Sequence, residues 1–160
     1  MISEYRIEKS KADAVLTLSD GVLVRGRFFV TASSANDWGP ERVKDLLNAE
    51  PGFFPFEVGD AGRHRAVLFN RAHVVMVTLA GHEEPRRDPG YSDATTRSVS
   101  VLLTNGTRVT GFVKLYLPQG RDRLSDYARG TENFRYLEAP GKTFILNVAH
   151  IVELSETAGS

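Results

Sequence analysis

The chain has 160 residues, 41% of them hydrophobic and 25% charged, and its 20 basic and 20 acidic side chains cancel. That composition can build a packed core, whereas sequence-blind phosphate binding, which draws on an excess of Lys and Arg, is disfavoured. With no cysteine, disulfides, thiol nucleophiles and Cys-based metal sites are excluded.

The stretch Met1 to Glu8 is too polar for a signal peptide, and the longest apolar run, Val74 to Ala80, is too short to span a bilayer. A cytoplasmic protein that does not enter the membrane is expected. Residues before Asp13 read as a loosely held lead-in. Ala14 to Leu18 is β-prone and is followed by Asp20-Gly21, a hairpin signal because tight primed turns need positive φ. Val22 to Thr31 alternates, with Val24, Phe28 and Val30 on one face and Arg25 and Arg27 on the other. Gly26 falls on the buried face, where a missing side chain marks the place the strand curls. Pro40 to Asn48 reads as a short helix, with Pro40 in its first turn and Val43, Leu46 and Leu47 on one side. Phe53 to Val58 is a third strand in which Pro55 favours an edge or a break. Arg65 to Phe69 and Val74 to Leu79 follow as strands, leaving only a very tight connection at Asn70 to Ala72.

Ala80 to Arg97, rich in Pro, Gly and charge, reads as a linker. After it the landmarks return. Leu16 and Leu18 answer to Val101 and Leu103, Asp20-Gly21 to Asn105-Gly106, and Gly26 to Gly111. Arg123 to Arg129 reads as a second helical insert, and Phe134 lies as far beyond Asp126 as Phe53 lies beyond Asp45. Above all, Phe69-Asn70-Arg71-Ala72-His73-Val74-Val75 comes back as Leu146-Asn147-Val148-Ala149-His150-Ile151-Val152. The pattern predicts an all-β chain with short helical inserts, built by internal duplication. The first unit covers 13–79 with its insert near 40–48, the linker 80–97, and the second unit 98–155 with its insert near 122–129. A single large β-sandwich would explain generic alternation, but not the repeated Asn-x-Ala-His.

Each unit resembles a Sm-like (Lsm) barrel, a five-stranded, strongly bent sheet of the SH3-like kind. The first Sm motif resembles Leu16-x-Leu18-x-Asp20-Gly21 to Gly26, and again Val101-x-Leu103-x-Asn105-Gly106 to Gly111. The second motif, Ile-Arg-Gly-x-x-Ile in the family, resembles Phe69 to Val74 and Leu146 to Ile151. Asn70 and Asn147 stand where the family's RNA-contacting Arg usually stands, and Arg71 and Val148 replace its Gly. The loop after the second strand, where the family places its other RNA contacts, is replaced by the helical inserts. The resemblance therefore implies the fold more directly than it implies RNA binding. The doubled form is also similar to duplicated bacterial proteins, from which no activity follows.

Asn70, His73, Asn147 and His150 are the leading candidate binding residues. An Asn amide and an imidazole on a tight turn can grip a base edge or a partner's backbone. Alternatively, the Asn bonds locally in a left-handed turn and the His satisfies a nearby carbonyl. Arg71 with Arg63, His64 and Arg65, and Arg121, Arg123, Arg129 and Arg135 in the second unit, form either basic rims or solvated mixed-charge faces. The strand aromatics read as core, while Trp38, in a loop, is a candidate exposed anchor. Asp45 and Asp126 recur singly, which is not an acid/base pair. No phosphate loop, serine elbow or metal-ligand cluster occurs, so no catalytic residue, metal or cofactor is expected. The expected function is a non-catalytic binding or assembly module that meets a protein partner or copies of itself. The alternative is single-stranded RNA binding through the Asn-x-Ala-His turns.

Overall fold

The structure, a computed structural model, describes residues 9–31, 41–60, 62–81, 95–115, 124, 127 and 131–157. The first half contributes β1 (Lys9–Leu18), β2 (Leu23–Thr31), the helix α1 (Val43–Ala49), β3 (Phe53–Asp60), β4 (Arg63–Asn70) and β5 (Val74–Ala80). The second half contributes β6 (Thr95–Leu103), β7 (Arg108–Leu115), β8 (Phe134–Ala139), β9 (Lys142–Asn147) and β10 (Ile151–Glu156). All ten strands join one antiparallel sheet in the order β10-β6-β7-β8-β9-β5-β1-β2-β3-β4. The fold is all-β, with α1 the one described helix of more than a single turn.

The strand order of the first half, β5-β1-β2-β3-β4, recurs in the second as β10-β6-β7-β8-β9. The recurrence extends to register. A bulge passes over Val75 in the β1/β5 ladder and over Val152 in the β6/β10 ladder. Phe53 pairs Asn70, and Phe134 pairs Asn147. Each first hairpin closes through a three-residue loop, with Leu18 N–H to Val22 O and Gly21 N–H to Leu18 O matched by Leu103 to Thr107 and Gly106 to Leu103. Only the glycine, at φ 88 and 85, takes the left-handed conformation, so the loop is a bulged turn and not the two-residue primed turn that Asp-Gly suggests. Gly26 and Gly111 are required by close approach: a Cβ on either would run into the carbonyl oxygen of Glu57 or Glu138 on the adjoining strand.

Other differences from the sequence reading have local causes. β1 starts at Lys9 because β2 continues to Thr31 and supplies a ladder for residues with no apolar alternation. Pro55 lies inside β3, just beyond Phe56, where the pairing with β2 ends. β6 begins at Thr95, within the segment read as linker, and only 82–94 of that segment lie outside the described residues. Of the second insert, Leu124 and Tyr127 are described; both are helical and pack on the second core.

Buried side chains form two clusters. One gathers Leu16, Phe28, Val43, Leu47, Phe54 and Phe56 under α1, with Phe28 stacked on Phe54 at 5.4 Å. The other gathers Val99, Val101, Leu103, Val113 and Leu137. β5 and β9, paired at the centre of the sheet, serve both, since Val77 and Ile145 face the first cluster while Met76 and Leu146 face the second. Strands buried on both faces carry near-continuous apolar runs. Val74 to Val77 and Phe144 to Leu146 are such runs.

Candidate functional site

The repeated turns occupy the centre of the sheet at one end. Arg71–His73 and Val148–His150 are single 3₁₀ turns, each entered by its Asn, whose side-chain oxygen accepts the N–H of Ala72 or Ala149 at 3.0 and 3.1 Å. Asn70 and Asn147 have φ of -83 and -82, so neither adopts the left-handed conformation considered from sequence. Local capping is met from extended backbone.

Here the two turns part. In the second, Asn147 Nδ2 donates to Val74 O at 2.9 Å and Arg71 O at 3.2 Å, and its side chain is buried. His150 Nε2 lies 2.7 Å from Ala72 O. A carbonyl can only accept, so Nε2 carries the proton, and in the neutral ring Nδ1 then accepts from Thr104 Oγ1 at 2.7 Å. The second turn therefore clasps the backbone of the first. In the first turn, His73 Nδ1 meets Ser19 Oγ at 3.0 Å, and Nε2 of His73 and Nδ2 of Asn70 have no bond among the described residues. The repeated phrase supplies one used clasp and one open one.

Arg71 does not belong to a basic rim. Its side chain is buried and donates to Leu46 O at 2.9 Å, Leu47 O at 3.1 Å and Phe53 O at 2.7 Å, with the guanidinium over the Phe54 ring. Leu46 and Leu47 lie in the last turn of α1, whose carbonyls have no intrahelical partner. The guanidinium satisfies them and ties α1 to β3, and burial lowers its pKa from the ordinary value. Arg135 is also buried, donating to Glu132 O at 2.9 Å. Arg63, His64 and Arg65 do lie exposed, in a row on β4. Trp38, Arg121, Arg123, Asp126 and Arg129 lie outside the described residues.

Sequence reasoning missed the role of α1. Asn48 exchanges two hydrogen bonds with the Phe134 backbone, each 2.9 Å, and Lys44 reaches Glu132 at 3.0 Å. The first half's helix thus covers the second half's β8. An Asn in a helix's last turn gives no sequence cue to so distant a partner. Also missed was a cleft of about 640 Å³ on the solvent face, lined by Asp13, Arg25, Arg27, Glu57, His64 and Lys142 among others. Lys11 donates to Glu57 Oε2 at 3.1 Å, while Oε1 is buried with no hydrogen-bond partner among the described residues. That hydrogen bond, outweighing desolvation, holds the Glu57 carboxyl below the ordinary value.

Among the described residues no three His, Asp or Glu side chains are grouped to hold a metal ion, and no helix is long and apolar enough to cross a membrane. Comparison with family models, curated proteins and solved structures gives no match to this chain.

Proposed function

We propose that the chain is a non-catalytic assembly module, made of two Sm-like five-stranded barrels related by internal duplication, that binds a protein partner or further copies of itself through open strand edges. The observation carrying this reading is the junction at the centre of the sheet. There the last strand of the first half, β5, pairs with β9 of the second over Met76 to Ala80 and Lys142 to Leu146. Edge pairing joins the halves, and among the described residues the counterpart edges, β4 and β10, have only one neighbour each. An open edge presents unpaired backbone groups to any added strand. The recurring strand order, bulge and hairpin loops support the duplication.

The rival reading, RNA held by the Asn-x-Ala-His turns, has less support, because Arg71, Asn147 and His150 spend their donors on the chain's own carbonyls. Salt-sensitive binding of single-stranded RNA, lost in Asn70→Ala/His73→Ala, would displace the assembly reading.

The direct test is size-exclusion chromatography in an extract of the cells that make the protein, comparing the full wild-type chain with Ala66→Pro/Glu156→Pro. Antiparallel strands turn alternate N–H groups to opposite sides. Arg71 N–H bonds inward to Gly52 O and Thr157 N–H inward to Ser98 O, so those of Ala66 and Glu156 point outward, where proline removes only the edge donor. Wild type is expected in a larger assembly and the double variant at monomer mass; a monomeric wild type refutes the module.

A further inference from the structure

We infer that the cleft on the solvent face binds a small phosphate monoester with a hydroxylated body, of the kind a sugar phosphate presents. Such a site is independent of the assembly reading. The ground is a contrast between equivalent carboxylates in the two halves. Glu57 and Glu138 hold the same place, each with its backbone carbonyl against the strand glycine, Gly26 or Gly111. Glu138 opposes Thr143 across the β8/β9 ladder, and Thr143 Oγ1 donates to Glu138 Oε2 at 2.8 Å. Glu57 opposes Ala66 across the β3/β4 ladder, and alanine has no side-chain donor. Lys11 takes Oε2 of Glu57, while Oε1 is buried with no donor among the described residues. The His64 ring lies across Gly59, where a Cβ would run into it, and its Nδ1 stays 3.8 Å from Oε1, beyond hydrogen-bond reach. A buried carboxylate oxygen is costly unless something donates to it. The first half keeps open an acceptor that the second half closes.

The cleft beside this oxygen carries a surplus of positive charge. Arg27 pairs with Asp13 at 3.3 Å and Lys11 with Glu57 at 3.1 Å, but Arg25 and Lys142 have no ion pair among the described residues. The Lys142 ammonium rests over the Phe144 ring, 5.3 Å from its centroid. Between these two cations run β1 and β5, which present Val15, Thr78 and Ala80 to the cleft. Counted from the strand glycine, the counterparts of Arg25 and Arg27 are Thr110 and Phe112, so β7 repeats neither charge. Two unpaired cations match the charge of about −1.5 to −2 that a phosphate monoester carries at neutral pH. A guanidinium fork and a lysine point charge are both suited to phosphate oxygens. The Glu57 carboxyl, held below its ordinary pKa, is ionised at neutral pH and can only accept. Lys11 already offsets its charge, and Arg27 and His64 stand close enough to lower its pKa further. A further ammonium there would meet like charges, whereas a neutral hydroxyl donates without adding one. A volume of about 640 Å³ accommodates a ligand of sugar-phosphate size.

The test is isothermal titration calorimetry of the purified full chain with glucose 6-phosphate, ribose 5-phosphate, inorganic phosphate, glucose and phenyl phosphate. Saturable binding is expected for a sugar phosphate, about 10-fold or more tighter than for inorganic phosphate, glucose or phenyl phosphate. Arg25→Ala and Lys142→Ala, both at exposed positions, are each expected to weaken sugar phosphate and inorganic phosphate alike, by about 10-fold or more. Ala66→Thr, also at an exposed position, places in the first half the donor that Thr143 supplies in the second. It is expected to weaken the sugar phosphate about 10-fold and to leave inorganic phosphate unchanged, a split that neither lost charge nor misfolding would produce. An unchanged circular-dichroism spectrum confirms that each variant folds. The site is overturned if neither sugar phosphate binds at millimolar concentration, if phenyl phosphate binds as tightly as they do, or if Ala66→Thr binds them as wild type does.

Discussion

The junction strands β5 and β9 and the edge strands β10 and β4 occupy the same places in their respective halves, yet they are written in different alphabets. Thr143-Phe144-Ile145-Leu146 lies buried where Ala66-Val67-Leu68-Phe69 lies exposed or half-buried, and Val75 is buried where Val152 is not. A strand paired on both sides, with a core on each face, can be apolar throughout; an edge has to keep charge to stay soluble. β4 keeps Arg63, His64 and Arg65 at its start and β10 keeps Glu153 and Glu156, and the two retain the exposed Leu68 and Val152. The comparison teaches that the turn and the register repeat faithfully, while composition follows how many neighbours a strand has.

The sharpest way to break this comparison is to truncate the equivalent residues Ile145 and Leu68. Ile145→Ala removes a fully buried side chain that packs in the first cluster from a strand of the second half, and is expected to cost about 2–5 kcal/mol. Leu68→Ala in dilute protein is expected to change stability by less than about 0.5 kcal/mol. Urea denaturation of both variants checks it, and equal losses would mean that the open edge is already covered in the single chain.

The clasp gives the next contrast. Asn147→Ala removes a cap, takes the donor from Val74 O and leaves Arg71 O with the Val74 N–H alone, an expected loss of about 2–4 kcal/mol. Asn70→Ala removes a cap alone, about 1 kcal/mol. Thermal melting at low concentration separates them. Arg71→Ala is expected to fall near the larger value, since three carbonyls lose their donor; its readout is loss of helical circular dichroism as α1 comes away from β3 and β8.

Much of the fold is legible in the residues because period-two alternation and turn glycines act over short distances. Leu16, Phe28 and Val30 face the core as their alternation predicts, and Asn-x-Ala-His marks the same turn twice. What is not legible depends on backbone carbonyls, which have no letter of their own. Arg71 resembles any surface Arg beside a turn until the helix end it caps is seen, and nothing near Asn147 indicates that its amide meets Val74 O. One cue was present: the apolar run of β9 beside the charged β4 already says that the halves are not equally covered. Trp38, by contrast, falls outside the described residues and carries no structural reading.

The smallest expected effect lies where the cleft runs from the junction, at Gly141 and Lys142, toward the open edge at His64. Glu57 there is held below the ordinary carboxylate value of 4.5, first by the hydrogen bond from Lys11 and then by the charges of Lys11, His64 and Arg27. A carboxyl whose pKa is lower folded than unfolded binds fewer protons in the native state, so its contribution to stability is present above the unfolded value and is lost as pH falls through the folded one. Wild type is therefore expected to exceed Glu57→Gln in stability above about pH 4.5, with the margin closing as pH falls below it. Denaturant midpoints of both proteins at intervals across that range measure it. A margin that widens below about pH 4.5 would mean that desolvation of the buried Oε1 outweighs the hydrogen bond from Lys11.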